Sequence, residues 1–115
     1  MLRFSFVMLA LALGACAAPP TQMQEPTQAA LARDGRDIAE AQCAACHSVG
    51  DYGESPLADA PAFRTLLSRY RADVLEDELI AGIQVTHRMP DFQFNPQGAD
   101  ALIAYLRSIQ EEPAR

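Results

Sequence analysis

The feature that most constrains this chain is Cys43-Ala44-Ala45-Cys46-His47, two thiols three positions apart followed at once by an imidazole. On a helical turn, residues three apart lie on one side. Each thiol can then add across one vinyl group of a haem while the adjacent histidine comes to lie beneath the iron, which makes the pattern the attachment signature of a c-type haem. Two other chemistries use similar residues. A redox-active CxxC belongs in a βαβ setting that this sequence lacks, and a zinc site drawn from Cys43, Cys46, His47 and His87 lacks the usual second-pair spacing. The shortness of the chain adds to the constraint. Its 115 residues give room for one small domain, and a domain of that size leaves over about a third of its unfolded surface exposed, so a metal, disulfides or a cofactor often completes the core.

The cysteine count is odd, 3 in all, and the third lies in a different setting. Residues 1–15 carry Arg3 and then an apolar run from Phe4 to Leu13, too short for a membrane-spanning helix of about 20 residues but right for the h-region of a signal peptide. The run ends in Leu13-Gly14-Ala15-Cys16, which resembles the lipobox of bacterial lipoproteins, where the cysteine is diacylated and becomes the first mature residue. Ala15-Cys16-Ala17 also fits the small-x-small rule for an ordinary secretory peptide cut after Ala17. Both readings export the chain. Residues 16–28 follow as a flexible tether rich in Pro, Gln and Thr, Met23 among them as a solvated linker residue. The domain then occupies residues 29–115. A net charge of −6, with every basic residue an arginine, argues against nucleic acid or an anionic membrane face as partner.

The domain reads as all-α, with about four helices. From Thr27 to Cys46, Leu31, Ile38, Ala41 and Ala45 fall near helical spacing, with Gly35 and Ala39 one turn apart on a smaller face. A second helix runs from about Pro61 to near Arg71, carrying Phe63, Leu66, Leu67 and Tyr70 at i, i+3, i+4, i+7. Asp73 with Glu76 makes a capping-box-like start for a third, which uses Leu75, Leu79 and Ile80 and stops at Gly82. Asp73, Glu76, Asp77 and Glu78 form an acidic cluster read as a solvated helix face. Asn95-Pro96 starts the fourth helix, whose stripe of Ala99, Leu102, Ile103, Leu106 and Ile109 is the clearest amphipathic pattern in the chain.

Taken in order, these elements resemble class I monohaem cytochrome c: Gly35 and Ala39 ahead of CxxCH, a Pro-x-apolar segment, His87-Arg88-Met89-Pro90, and a last helix with Ala104-Tyr105-Leu106. The resemblance covers residues from about 30 to 110. It implies a small helical bundle around one covalently bound haem, held by Cys43 and Cys46, with His47 and Met89 as axial iron ligands. His87, two residues from Met89, is the competing ligand; its default reading is a loop histidine. The resemblance also sets Gly35 and Ala39 against Leu102 and Tyr105 where the first and last helices cross. A carbonyl of the Pro-x-apolar segment, Pro61 ahead of Ala62 and Phe63, would accept the other N–H of His47 and fix its tautomer; Pro56 is the alternative.

Phe63, Leu67, Leu79, Ile83, Phe92 and Phe94 are the expected pocket lining. The chain has no Trp, a residue many members use to bond a haem propionate, so Arg64, Tyr70, Tyr52 or Arg88 would substitute. The Lys-rich docking face of the mitochondrial members is also missing. What the resemblance implies is a monomeric periplasmic single-electron carrier, not an enzyme, passing electrons between redox proteins; the lipobox-like segment adds a lipid anchor to a bacterial membrane through Cys16. The alternatives are a haem-based ligand sensor, in which Met89 leaves, and a fixed cytochrome c subunit of a dehydrogenase or oxidase complex.

Overall fold

The computed structural model describes residues 25–83 and 89–111. Among them the chain forms three α-helices, α1 (Gln28–Gln42), α2 (Ala72–Ala81) and α3 (Pro96–Ile109), with a 3₁₀ helix over Phe63–Ser68. The fold is the expected small all-α bundle, one of its four helices being of the tighter kind. Cys16, Met23, His87 and Arg88 lie outside the described residues, as do residues 1–15.

Helix α1 opens at Gln28 because the Thr27 hydroxyl accepts from the Ala30 N–H at 3.2 Å, so the end of the expected tether is already a helix cap and first turn. It stops at Gln42 rather than running on to Cys46. The N–H groups of Cys43 and Ala44 both reach the Ala39 carbonyl, at 2.9 and 3.1 Å, and the Cys43 carbonyl then accepts from Cys46 and His47 at 3.1 and 2.9 Å. The cysteine motif is therefore a tight turn at the end of α1.

The helix expected from Pro61 to Arg71 is the shorter 3₁₀ helix. The Thr65 and Ser68 hydroxyls bond back to the carbonyls of Ala62 and Thr65, at 2.9 and 2.7 Å, occupying the i−3 carbonyls that a three-residue turn presents. At three residues per turn, Phe63 and Leu66 share one face, and both are buried. Leu67 falls off that face.

Helix α2 begins one residue before Asp73, with Arg71 in the cap position and no side-chain cap. Asp73 is thus in the first turn, where its carboxylate complements the helix N-terminus and pairs with the Arg71 guanidinium. Gly82 closes the helix at φ +99°, in the left-handed region that glycine enters without strain.

Helix α3 opens where expected, with the Asn95 side chain accepting from the Gly98 N–H at 2.8 Å. Its burial is wider than the apolar stripe. Ala101, Ala104 and Tyr105 are buried along with Ala99, Leu102, Ile103 and Leu106, because α1, α2 and the 3₁₀ helix all pack against it. The crossing with α1 is close. A Cβ added at Gly35 would overlap the Ala101 carbonyl and come within 2.9 Å of the Tyr105 Cβ, so only glycine allows this approach. Ala39, Leu102 and Tyr105 share one buried cluster.

Candidate functional site

A cavity of about 530 Å³ opens between the end of α1, the 3₁₀ helix, α2, the segment entering α3, and α3 itself. Such a volume lies in the range of ligand pockets, about 300–1,000 Å³. Its walls are mainly apolar. Of the expected lining, Phe63, Leu79, Ile83, Phe92 and Phe94 are present, but Leu67 is not, because the three-residue period turns it aside and puts Leu66 in its place. Val74, Leu75, Leu102 and Leu106 complete the apolar surface.

Cys43 and His47 line this cavity together. Cys43 and Cys46 are both free thiols, the first buried and the second half-buried. Burial pushes the Cys43 thiol up to about 11, with Cys46 adding to the rise. A disulfide-exchange cysteine is tuned the other way, below the ordinary thiol value of about 8.5. Among the described residues no three His, Cys, Asp or Glu side chains converge as a metal cage. His87, the fourth member of the zinc alternative, lies outside them.

His47 is buried, and its Nδ1 lies 2.7 Å from the Pro61 carbonyl. A carbonyl only accepts, so Nδ1 carries the proton and Nε2 keeps the lone pair a metal would need. The imidazole also meets the Phe63 ring, centroids 5.4 Å apart and tilted by 56°. Burying Ser48 next to it ties this corner together. The Ser48 N–H donates to the Ser55 hydroxyl at 2.9 Å, its own hydroxyl donates to the Tyr52 carbonyl at 3.1 Å, and its carbonyl accepts from the Phe63 N–H at 2.9 Å.

Met89 is half-buried and lines the same cavity. The segment that carries it is fastened to α2, with the Phe94 N–H donating to the Leu79 carbonyl at 2.9 Å and the Gln93 side chain to the Ile80 carbonyl at 3.3 Å. Imidazole and thioether, far apart in sequence, thus reach one apolar space bordered by a thiol of the attachment motif. That donor set fits a covalently held haem.

The polar rim differs from expectation. Arg64 does not line the cavity: its Nε donates to Glu111 at 2.8 Å and its Nη1 to the Ser48 hydroxyl at 3.1 Å. Tyr52 is also absent from the lining and stands 87% exposed. Tyr70 does line it. Arg69 and Arg71, which sequence reasoning passed over, are at the rim, together with Glu78. Arg69 continues the three-residue face of Phe63 and Leu66, a signal legible only once the helix is known to be 3₁₀. Arg71 shares its charge with Asp73, whose carboxyl it holds below the ordinary carboxylate range.

The family model described as cytochrome C oxidase, cbb3-type, subunit III matches residues 30–106. Neither the curated proteins nor the solved structures give a match.

Proposed function

The chain belongs to the cytochrome c family that this match describes, and from that premise we propose that it is a class I monohaem cytochrome c working as a single-electron carrier on the periplasmic side of a bacterial membrane. Its cofactor is covalently attached haem c and its domain serves electron transfer. When bound, the haem supplies a one-electron couple. Cys43 and Cys46 hold it through thioether bonds. His47 and Met89 are the ligand pair, and the reading rests above all on one apolar cavity lined by Cys43, His47 and Met89 together. His47 and Met89 would both ligate the iron and leave no site for an exogenous ligand, which fits a carrier rather than a catalyst. The soft thioether and the apolar walls both favour the less charged ferrous state and raise the potential.

The test is a visible spectrum with a redox titration. Met89→Ala is expected to abolish the thioether-to-iron charge-transfer band and lower the potential. If His87→Ala does so instead, His87 is the ligand. The lipobox-like Leu13-Gly14-Ala15-Cys16 supports a lipid anchor at Cys16, each buried CH₂ of its chains adding about 0.8 kcal/mol of membrane affinity. Cys16→Ser is then expected to release the protein from membranes, and continued pelleting would point to a protein partner.

The family description, which names an oxidase subunit, favours a second reading in which the same domain is a fixed subunit of an oxidase complex. Stoichiometric co-purification of a partner in mild detergent would decide for it.

A further inference from the structure

We propose that Gln110 is a positioning residue for His47, acting from the end of α3 through the 3₁₀ helix; the proposal rests on the reading of His47 as iron ligand. Gln110 is the residue that caps α3. Both N–H donors of its amide and the oxygen are engaged. Nε2 donates to the Phe63 carbonyl at 2.9 Å and to the Leu106 carbonyl at 2.8 Å, while Oε1 accepts from the Leu67 N–H at 2.8 Å. The next residue doubles the clamp, with the Glu111 N–H donating to the Arg64 carbonyl at 3.0 Å and its carboxylate pairing with Arg64 Nε at 2.8 Å.

What the clamp holds is the face turned to His47. Phe63 supplies the ring that tilts against the imidazole, and Pro61, two residues earlier, supplies the carbonyl that accepts from Nδ1. On its other side the segment is fixed to Ser48, the neighbour of His47, through the Phe63 N–H and Arg64 Nη1. A 3₁₀ helix of 6 residues has poor hydrogen-bond geometry of its own. Bonds from outside therefore set where it lies. A Pro61 carbonyl kept at this distance pulls the Nδ1 proton, makes the imidazole a stronger donor and favours the ferric state. Loosening the clamp weakens that pull.

The experiment uses the full chain as holoprotein, with Gln110→Ala and the same-sized Gln110→Glu, which keeps an acceptor for the Leu67 N–H and removes both donors. Both variants are expected to keep covalent haem on a denaturing gel. In Gln110→Ala, which adds no charge, the ferrous-to-ferric ratio at a fixed potential should rise about threefold, and in both variants the His47 ring N–H should exchange with solvent faster by NMR of the ferrous protein. Ser108→Ala is the control, since among the described residues that hydroxyl bonds only the Tyr105 carbonyl of its own helix, at 2.6 Å.

An unchanged ratio with unchanged exchange would overturn the proposal. So would a fall in the Gln110→Ala ratio at unchanged exchange, which would mean water access, or a Ser108→Ala effect as large as that of Gln110→Ala. In the wild-type protein, protection of the Gln110 side-chain amide protons is expected too, and free exchange there overturns the clamp without any variant. A wild-type chain that carried no covalent haem would instead overturn the cytochrome reading itself.

Discussion

The crossing of α1 and α3 and the stretch from Cys43 to Tyr70 are held by different forces. At the crossing, Gly35 lets two backbones touch and the neighbouring side chains are apolar and buried, Ile103 to 1% exposure. Burying such a side chain contributes about 1.5–3 kcal/mol, with no partner atom required. The stretch from Cys43 to Tyr70 has little regular structure, and polar bonds to particular atoms hold it: Pro61 to His47, Ser48 to Ser55 and Tyr52, Gln110 to Phe63 and Leu67. Phe63 and Leu66 turn their side chains toward the cavity. The first region is a scaffold packed side chain against side chain, and the second is an arrangement shaped for something to be bound.

The sharpest way to break this contrast is the double change Cys43→Ser with Cys46→Ser. Haem stain on a denaturing gel is expected to vanish, and retained stain would sink the attachment assignment. Next in size is Gly35→Ala, whose methyl meets backbone rather than a yielding side chain. It should cost about 3 kcal/mol, read from the denaturant midpoint, while the potential of the surviving folded protein stays unchanged. A large potential change would mean that scaffold and site are not separable.

Tyr105→Phe tests the seam. The Tyr105 hydroxyl donates to the Val49 carbonyl at 2.7 Å, joining α3 to the loop after His47. Its loss should cost about 1 kcal/mol. Burial, the main cause, raises the pKa of this phenol. The protonated, donating form is therefore favoured in the folded state. The stabilisation is fully present below the ordinary tyrosine value and lost as pH climbs through the raised one, so wild type and Tyr105→Phe should converge in stability in strong alkali. A gap that stays constant with pH would assign the effect to packing instead.

Legibility followed the same division. Helix α3 was readable because Ala99, Leu102, Ile103 and Leu106 recur at the α-helical period and Asn95-Pro96 marks its start. The 3₁₀ helix misled the same method: Phe63, Leu66, Leu67 and Tyr70 match an α-helical period, yet hydroxyl bonds from Thr65 and Ser68 support a three-residue turn. That change of period explains why Leu67 left the cavity and Arg69 reached its rim. Arg64 sits beside Phe63 in sequence, yet Glu111, 47 positions away, holds its guanidinium outside the cavity lining. Pro61, by contrast, was legible as the partner of His47 through family resemblance alone.

By itself the sequence determined what is written in neighbouring residues: the CxxCH motif, the Asn95-Pro96 start and apolar stripe of α3, and hence an all-α haem domain. These depend on local spacing, and spacing is visible in one dimension. Only the tertiary structure decided which polar groups meet across the bundle. The Gln110 amide, the Arg64 guanidinium and the Ser48 hydroxyl find partners set by the path of the whole chain. A hydrogen bond needs its two atoms within about 3 Å, and no pattern along the chain reports that distance.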